Sequence, residues 1–168
     1  AFKPADHSAL LTAVGAWVAD PTGTDKSYGH ISTWDTSLVT SMFELFAKKG
    51  TFNADISRWD TSQVTTMENA FYQATEFNGD VSKWDTSKVT NMRNQFRSAT
   101  AFNGDISKWV TSQVTAMESV FAEATSFNQA IGEWDVSSVT SMSGTFAGAS
   151  SFDQNISSWD TSKVTTMY

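Results

Sequence analysis

Apolar residues recur along this chain at one fixed interval. Trp34, Trp59, Trp84, Trp109, Trp134 and Trp159 stand 25 residues apart without a slip. Around them Val39, Val64, Val89, Val114, Val139 and Val164 form a second column, and Met42, Met67, Met92, Met117, Met142 and Met167 a third. Phe46, Phe71, Phe96, Phe121 and Phe146, then Phe52, Phe77, Phe102, Phe127 and Phe152, add two more. An Ile or Val sits three residues before each of these tryptophans, from Ile31 to Ile156. The consensus is F-N-x-D-I-S-x-W-D-T-S-x-V-T-x-M-x-x-x-F-x-x-A-x-x, and repetition at such a period marks a repeat architecture.

Each copy reads as two elements. Val64, Met67, Phe71 and Ala74 are spaced 3, 4 and 3, which places them within one arc of a helix. Upstream, "FNADIS" alternates around Ile56 with the period of a short strand. A unit this small cannot bury its apolar face alone, so copies must stack. The predicted fold class is therefore α/β: a right-handed leucine-rich-repeat-like solenoid of 25-residue strand–helix coils with an N-terminal capping helix. Its strands would pair in parallel at about 4.8 Å. Residues 1–27 are the expected helical cap, with Leu10, Ala13, Val14, Trp17 and Val18 on one side of a helix starting near Asp6 or Ser8 and stopping before Pro21. Residues 28–168 hold about five and a half copies in the same single domain, ending in "VTTMY" part-way into a sixth expected helix. No C-terminal cap is read there, so the expectation is a longer array or an end that stacks on another chain.

Charge and composition narrow the function. With 18 acidic against 11 basic residues the net charge is −7, which argues against nucleic acid and anionic membrane surfaces as partners. No apolar run approaches the roughly 20 residues that span a bilayer. The absence of cysteine removes disulfides and thiolate metal sites. His7 and His30 are the only histidines, and no nucleophile–base pair or phosphate loop emerges, so neither an enzyme nor a cofactor is expected.

Several columns carry candidate chemistry. Asp35, Asp60, Asp85, Asp135 and Asp160 follow the tryptophans, and Val110 breaks the row. A calcium ladder would need six to eight oxygens per ion, so helix N-caps are the preferred reading and no metal is expected. A second acidic column, Asp55, Asp80 and Asp105, is matched by Arg58, Lys83 and Lys108 three residues on, which suggests internal charge compensation. Asn53, Asn78, Asn103 and Asn128 read as a ladder bonding backbone groups between coils. The tryptophans could stack on sugars, but their register with inward columns favours the core. The unbroken threonine column Thr40, Thr65, Thr90, Thr115, Thr140 and Thr165 raises ice binding, with local backbone bonding preferred.

The phrase F-N-x-D-I-S-x-W-D-T-S-x-V-T-x-M, followed by F and A, resembles the bacterial surface protein A (BspA)-like leucine-rich repeat family, formerly a mycoplasma-lipoprotein domain of unknown function. The resemblance covers about residues 28–168 and implies a secreted or cell-surface protein used for attachment, with no catalytic residues to carry over. A partner, whether another protein or a surface glycan, would then meet the columns that vary: Phe43, Glu68, Arg93, Glu118 and Ser143, then Ala47, Tyr72, Arg97, Ala122 and Ala147. In the third copy Lys83, Lys88, Arg93 and Arg97 outnumber Glu76, Asp80 and Asp85. With Tyr72 these four cations form the candidate partner site, since aromatics and Arg anchor interfaces. A non-enzymatic interaction or adhesion module is the expected function; a structural subunit stacking into a larger assembly is the alternative.

Overall fold

The computed structural model describes all 168 residues. Helix is confined to the N-terminal segment, as α1 (His7–Ala19), α2 (Pro21–Tyr28) and one 3-10 turn, Ile31–Thr33. Beyond it the chain has no helix and no extended strand. Neighbouring copies meet at isolated parallel bridges, Ser41 to Thr66, Thr66 to Asn91, Asn91 to Ala116, Ala116 to Ser141 and Ser141 to Thr166. The α/β solenoid of strand–helix coils is thereby overturned: the coils are built from turns, and 63 of the 75 backbone hydrogen bonds lie outside regular elements.

The helical spacing has a different cause. In the second copy Ala70, Tyr72 and Ala74 donate to the carbonyls three residues back, those of Met67, Asn69 and Phe71. The intervening Met67, Asn69, Phe71 and Gln73 donate across to Asn91, Arg93, Gln95 and Arg97 of the next coil at 2.8–2.9 Å. A chain of such turns advances four residues per inward step, so Met67, Ala70, Phe71 and Ala74 are all buried as they would be on a helix. Periodicity near 3.6 does not separate the two arrangements. The turns are of type II, whose third residue needs positive φ. Asn69 and Gln73 supply it at 55° and 57°, and in the fifth copy Gly144 and Gly148 occupy the same positions at 64° and 72°. A side chain held there costs roughly 1–2 kcal/mol, which the cross-coil bonds and the packing beneath them offset.

That packing is aromatic. Within a coil the two phenylalanine columns stack at 3.8–4.2 Å between ring centroids. Between coils Phe46, Phe71, Phe96, Phe121 and Phe146 follow one another at 5.0–6.0 Å. Trp84, Trp109 and Trp134 lie nearly parallel at 6.4–6.5 Å. Each indole is placed by a bond: Trp59 Nε1 donates to Ile31 O at 2.9 Å, Trp109 to Val81 O at 3.0 Å and Trp134 to Ile106 O at 3.1 Å. The result is one continuous cluster of 38 buried apolar residues, reaching from Leu10 in α1 to Met142.

The N-terminal segment closes the first coil. Asp6 caps α1 by accepting the Ala9 N–H, and Leu10, Ala13 and Val14 bury against the coil. Pro21 ends the expected helix and also opens α2 from its first turn, where a proline loses nothing. His7 Nδ1 sits 2.9 Å from Ser41 O and Phe2 O accepts the Asp35 N–H at 2.8 Å, so backbone groups at this end find partners.

Two substitutions test this arrangement by chemical denaturation. Gln73→Val puts a β-branched residue at φ 57° and should cost at least about 1–2 kcal/mol, whereas Gln73→Gly should be neutral or stabilising. Gln95 is fully buried with Nε2 on Met67 Sδ at 3.2 Å and no partner for Oε1, so Gln95→Met should stabilise by about 1–2 kcal/mol.

Candidate functional site

The repeated polar columns are occupied with holding the stack. Thr36, Thr61, Thr86 and Thr111 are buried, and each hydroxyl donates to the carbonyl 24 residues on, that of Asp60, Asp85, Val110 and Asp135, at 2.9–3.0 Å. Thr65, Thr90, Thr115, Thr140 and Thr165 are exposed, yet their hydroxyls turn back onto the carbonyl of the preceding coil's threonine at 3.1–3.3 Å. The Oδ1 atoms of Asn53, Asn78, Asn103 and Asn128 accept the N–H groups of Asn78, Asn103, Asn128 and Asp153 at 2.9–3.0 Å. The six tryptophans in register line the interior, Trp34 to Trp134 being buried and Trp159 partly so.

The aspartates serve turns. Asp35, Asp60, Asp85, Asp135 and Asp160 accept the N–H of the serine two residues on at 2.9–3.1 Å. No helix comes after them, so the helix N-cap becomes an Asx-turn cap ahead of the turn in which Val64 N–H meets Thr61 O. At Val110 that bond is lost, and Thr111 does not replace it because its hydroxyl is committed to Asp135 O. What Val110 retains is its own carbonyl, which receives the Thr86 hydroxyl. The second acidic column works alike: Asp55, Asp80 and Asp105 accept from Ser57, Ser82 and Ser107 at 2.9–3.0 Å. Arg58, Lys83 and Lys108 form no ion pair with them, so charge compensation by contact does not occur; the molecule's two ion pairs are Lys3–Asp35 and Arg93–Glu118. Where Ala130 replaces the acid, Gly132 replaces the serine, so the turn's acceptor and its partner side chain disappear together.

These bonds set the response to acid. The Ser37 hydroxyl and then Lys3 hold Asp35 down to about 2. Serine hydroxyl and N–H groups likewise lower Asp55, Asp80, Asp85, Asp135 and Asp160, and for Asp105 the Ser107 N–H is the larger cause. A carboxylate whose folded pKa lies below its unfolded one stabilises above the unfolded value and loses that contribution as pH falls through the folded one. Thermal stability should therefore decline from about pH 4 down to about 2, the value of Asp35. Val110→Asp restores the missing turn cap and should add about 0.5–1 kcal/mol at neutral pH, measured by denaturant titration.

Side chains that do not repeat gather on the face formed by the four-residue turns. Arg97 lies over Tyr72 with 6.0 Å from its guanidinium carbon to the ring centroid. Arg93 is clamped by Glu118, Nε to Oε2 at 2.8 Å and Nη2 to Oε1 at 2.5 Å, which raises the arginine's pKa and lowers the glutamate's. Glu68 accepts from Asn91 Nδ2 at 2.8 Å. Lys83 and Lys88 are not in this group. Lys83 sits in the turn between Asp80 and Trp84, and Lys88 in the next one, where Nζ donates to Gln63 Oε1 at 2.8 Å. The expected five-residue patch thus reduces to Tyr72, Arg93 and Arg97. Next to Tyr72 is a depression of about 330 Å³ bounded by Leu11 of α1, Glu44, Ala47, Lys48, Lys49 and Asn69. Sequence reasoning missed it because Leu11 reaches the face only through the packing of α1.

A second depression, of about 510 Å³, lies on the outer face of the last coil, lined by Met142, Phe146, Ile156, Trp159, Met167 and Tyr168 among others. Phe146, Phe152, Ile156, Trp159 and Val164 are only partly buried, unlike their counterparts in earlier coils. The N–H groups of Phe146 and Gly148, whose counterparts bond the next coil, meet no acceptor in the chain. No three His, Asp or Glu side chains converge as metal ligands. No helix is long and apolar enough to cross a membrane.

A chain of identical turn-built coils, joined by ladders and filled with aromatic columns, is a repeat protein. It belongs to the family described as "Mycoplasma protein of unknown function, DUF285", whose profile matches residues 22–124 and 105–168. The match begins inside α2, so it takes in part of the cap. No curated protein and no solved structure matches the chain.

Proposed function

We propose that this chain is a non-enzymatic interaction module of a secreted or cell-surface protein, with the turn face as its contact surface and another protein as its partner. The observation that carries the reading is a division of labour among columns. The Trp, Thr, Asn and Asp columns are committed to packing and ladder bonds, whereas Phe43, Glu68, Arg93, Tyr72 and Arg97 change from coil to coil on one face. Side chains free of structural duty, aromatic or arginine among them, are where specificity can vary without cost to the scaffold. The likeness of the motif to bacterial surface protein A-type repeats supports the location, and the acidic balance of the chain supports a partner other than nucleic acid or an anionic membrane.

A second reading rests on the last coil. Its apolar depression and the unpaired Phe146 and Gly148 N–H groups suit a contact with another chain in an assembly.

The experiment is an array of peptides and glycans probed with the full chain, with Tyr72→Ala/Arg97→Glu and, separately, Met167→Glu. Peptide binding that falls at least about 10-fold in the first variant alone is the expected result. Loss only in the Met167 variant, with a mass by light scattering that falls from oligomer to monomer, would transfer the function to the last coil. Glycan turnover by the unaltered chain would remove the non-enzymatic reading.

A further inference from the structure

The turn face is not uniform, and the step that breaks it lies beside the cap. One column runs Ala47, Tyr72, Arg97, Ala122, Ala147. A methyl group in the first coil is followed by a phenol ring in the second, so Tyr72 stands above Ala47 as a wall, and Leu11 of α1 forms the opposite one. The space between them, about 330 Å³, lies at the lower end of the range for ligand pockets. That size suits one or two side chains of a peptide better than an oligosaccharide. Tyr72 also has Arg97 over its ring, which removes one ring face from sugar stacking and stiffens the wall.

The rim is charged in one sense. Lys48 and Lys49 border the depression, and neither takes part in an ion pair. Glu44, the one carboxylate on the rim, is held by Asn69 Nδ2 at 3.5 Å. Arg97 adds a third cation behind Tyr72. In a chain of net charge −7, these cations give an acidic ligand a local reason to land here.

Resting on the reading of the turn face as an interaction surface, we infer that the depression between α1 and the first two coils takes an acidic peptide segment of a protein partner, with an apolar side chain seated between Leu11 and Tyr72 and its flanking carboxylates on Lys48 and Lys49. The apolar anchor supplies burial in the centre and the carboxylates set direction at the rim. Binding then weakens as salt rises, because the charged contacts are solvent-exposed.

The test is selection of a random peptide library displayed on phage against the full chain, with dissociation constants measured by calorimetry on synthesised winners. Enrichment of peptides carrying a large apolar residue flanked by Asp or Glu is expected. Affinity should fall at least about 10-fold in Ala47→Trp, which fills the depression, and in Lys48→Glu/Lys49→Glu, and stay unchanged in Lys108→Glu. Circular dichroism melts establish that each variant folds, and the lysine pair serves if Ala47→Trp does not. Enrichment of basic peptides, or undiminished binding by Ala47→Trp and the lysine pair, would overturn the inference. Acidic winners displaced only by Tyr72→Ala/Arg93→Glu, with the depression variants unaffected, would overturn this site while leaving the turn face as the contact surface. An absence of any peptide binder would overturn both.

Discussion

Everything in this molecule depends on a register: the N–H groups of alternate residues must meet carbonyls 24 residues further on. Met42 reaches Thr66, Glu44 reaches Glu68, Phe46 reaches Ala70 and Lys48 reaches Tyr72, and the same pattern recurs down the stack. A one-residue slip in any coil would aim these donors at the wrong carbonyls and turn inward side chains out. It would also break the threonine and asparagine ladders, which run at intervals of 24 and 25 residues. The invariant 25-residue spacing of the tryptophans is the trace of that constraint in the sequence.

The register explains why strained backbone is tolerated. Alternating turn bonds with cross-coil bonds requires a residue of positive φ twice per coil, and Glu44, Lys48, Asn69 and Gln73 accept it despite their side chains. In return every second amide of the segment is shared between coils, and the phenylalanines beneath them stack from coil to coil. The same arrangement releases the outward side chains of the segment. Once backbone amides hold the coils together, the positions of Phe43, Tyr72, Arg93 and Arg97 carry no obligation to repeat. Tyr72 and Arg97 vary on a fixed frame, and the cap adds Leu11 to the same surface.

Much of the site was legible and some of it was not. The Asp after each tryptophan was readable as an acceptor for a nearby N–H because the short carboxylate offers that bond to almost any chain reversal. Which reversal it serves is set by the residues downstream, and these form a turn in place of a helix. Gly144 and Gly148, both inside a segment patterned as a helix, were the available signal that the pattern was deceptive. Lys83 and Lys88 looked like neighbours of Arg93 and Arg97 because sequence distance says nothing about which corner of a coil a residue occupies. Gln95 shows the converse, a polar residue in the core that no periodicity distinguishes from the exposed ones beside it.

The sequence by itself determined the repeat, its length, the identity of the inward columns and the need for copies to stack, because burial of apolar surface requires nothing more than a period. Only the tertiary structure decided what the backbone does between those inward points. Helices and four-residue turns bring the same side chains inward, and the choice between them is made by amides that find their acceptors in the next coil, 24 residues away, where no local pattern can record them.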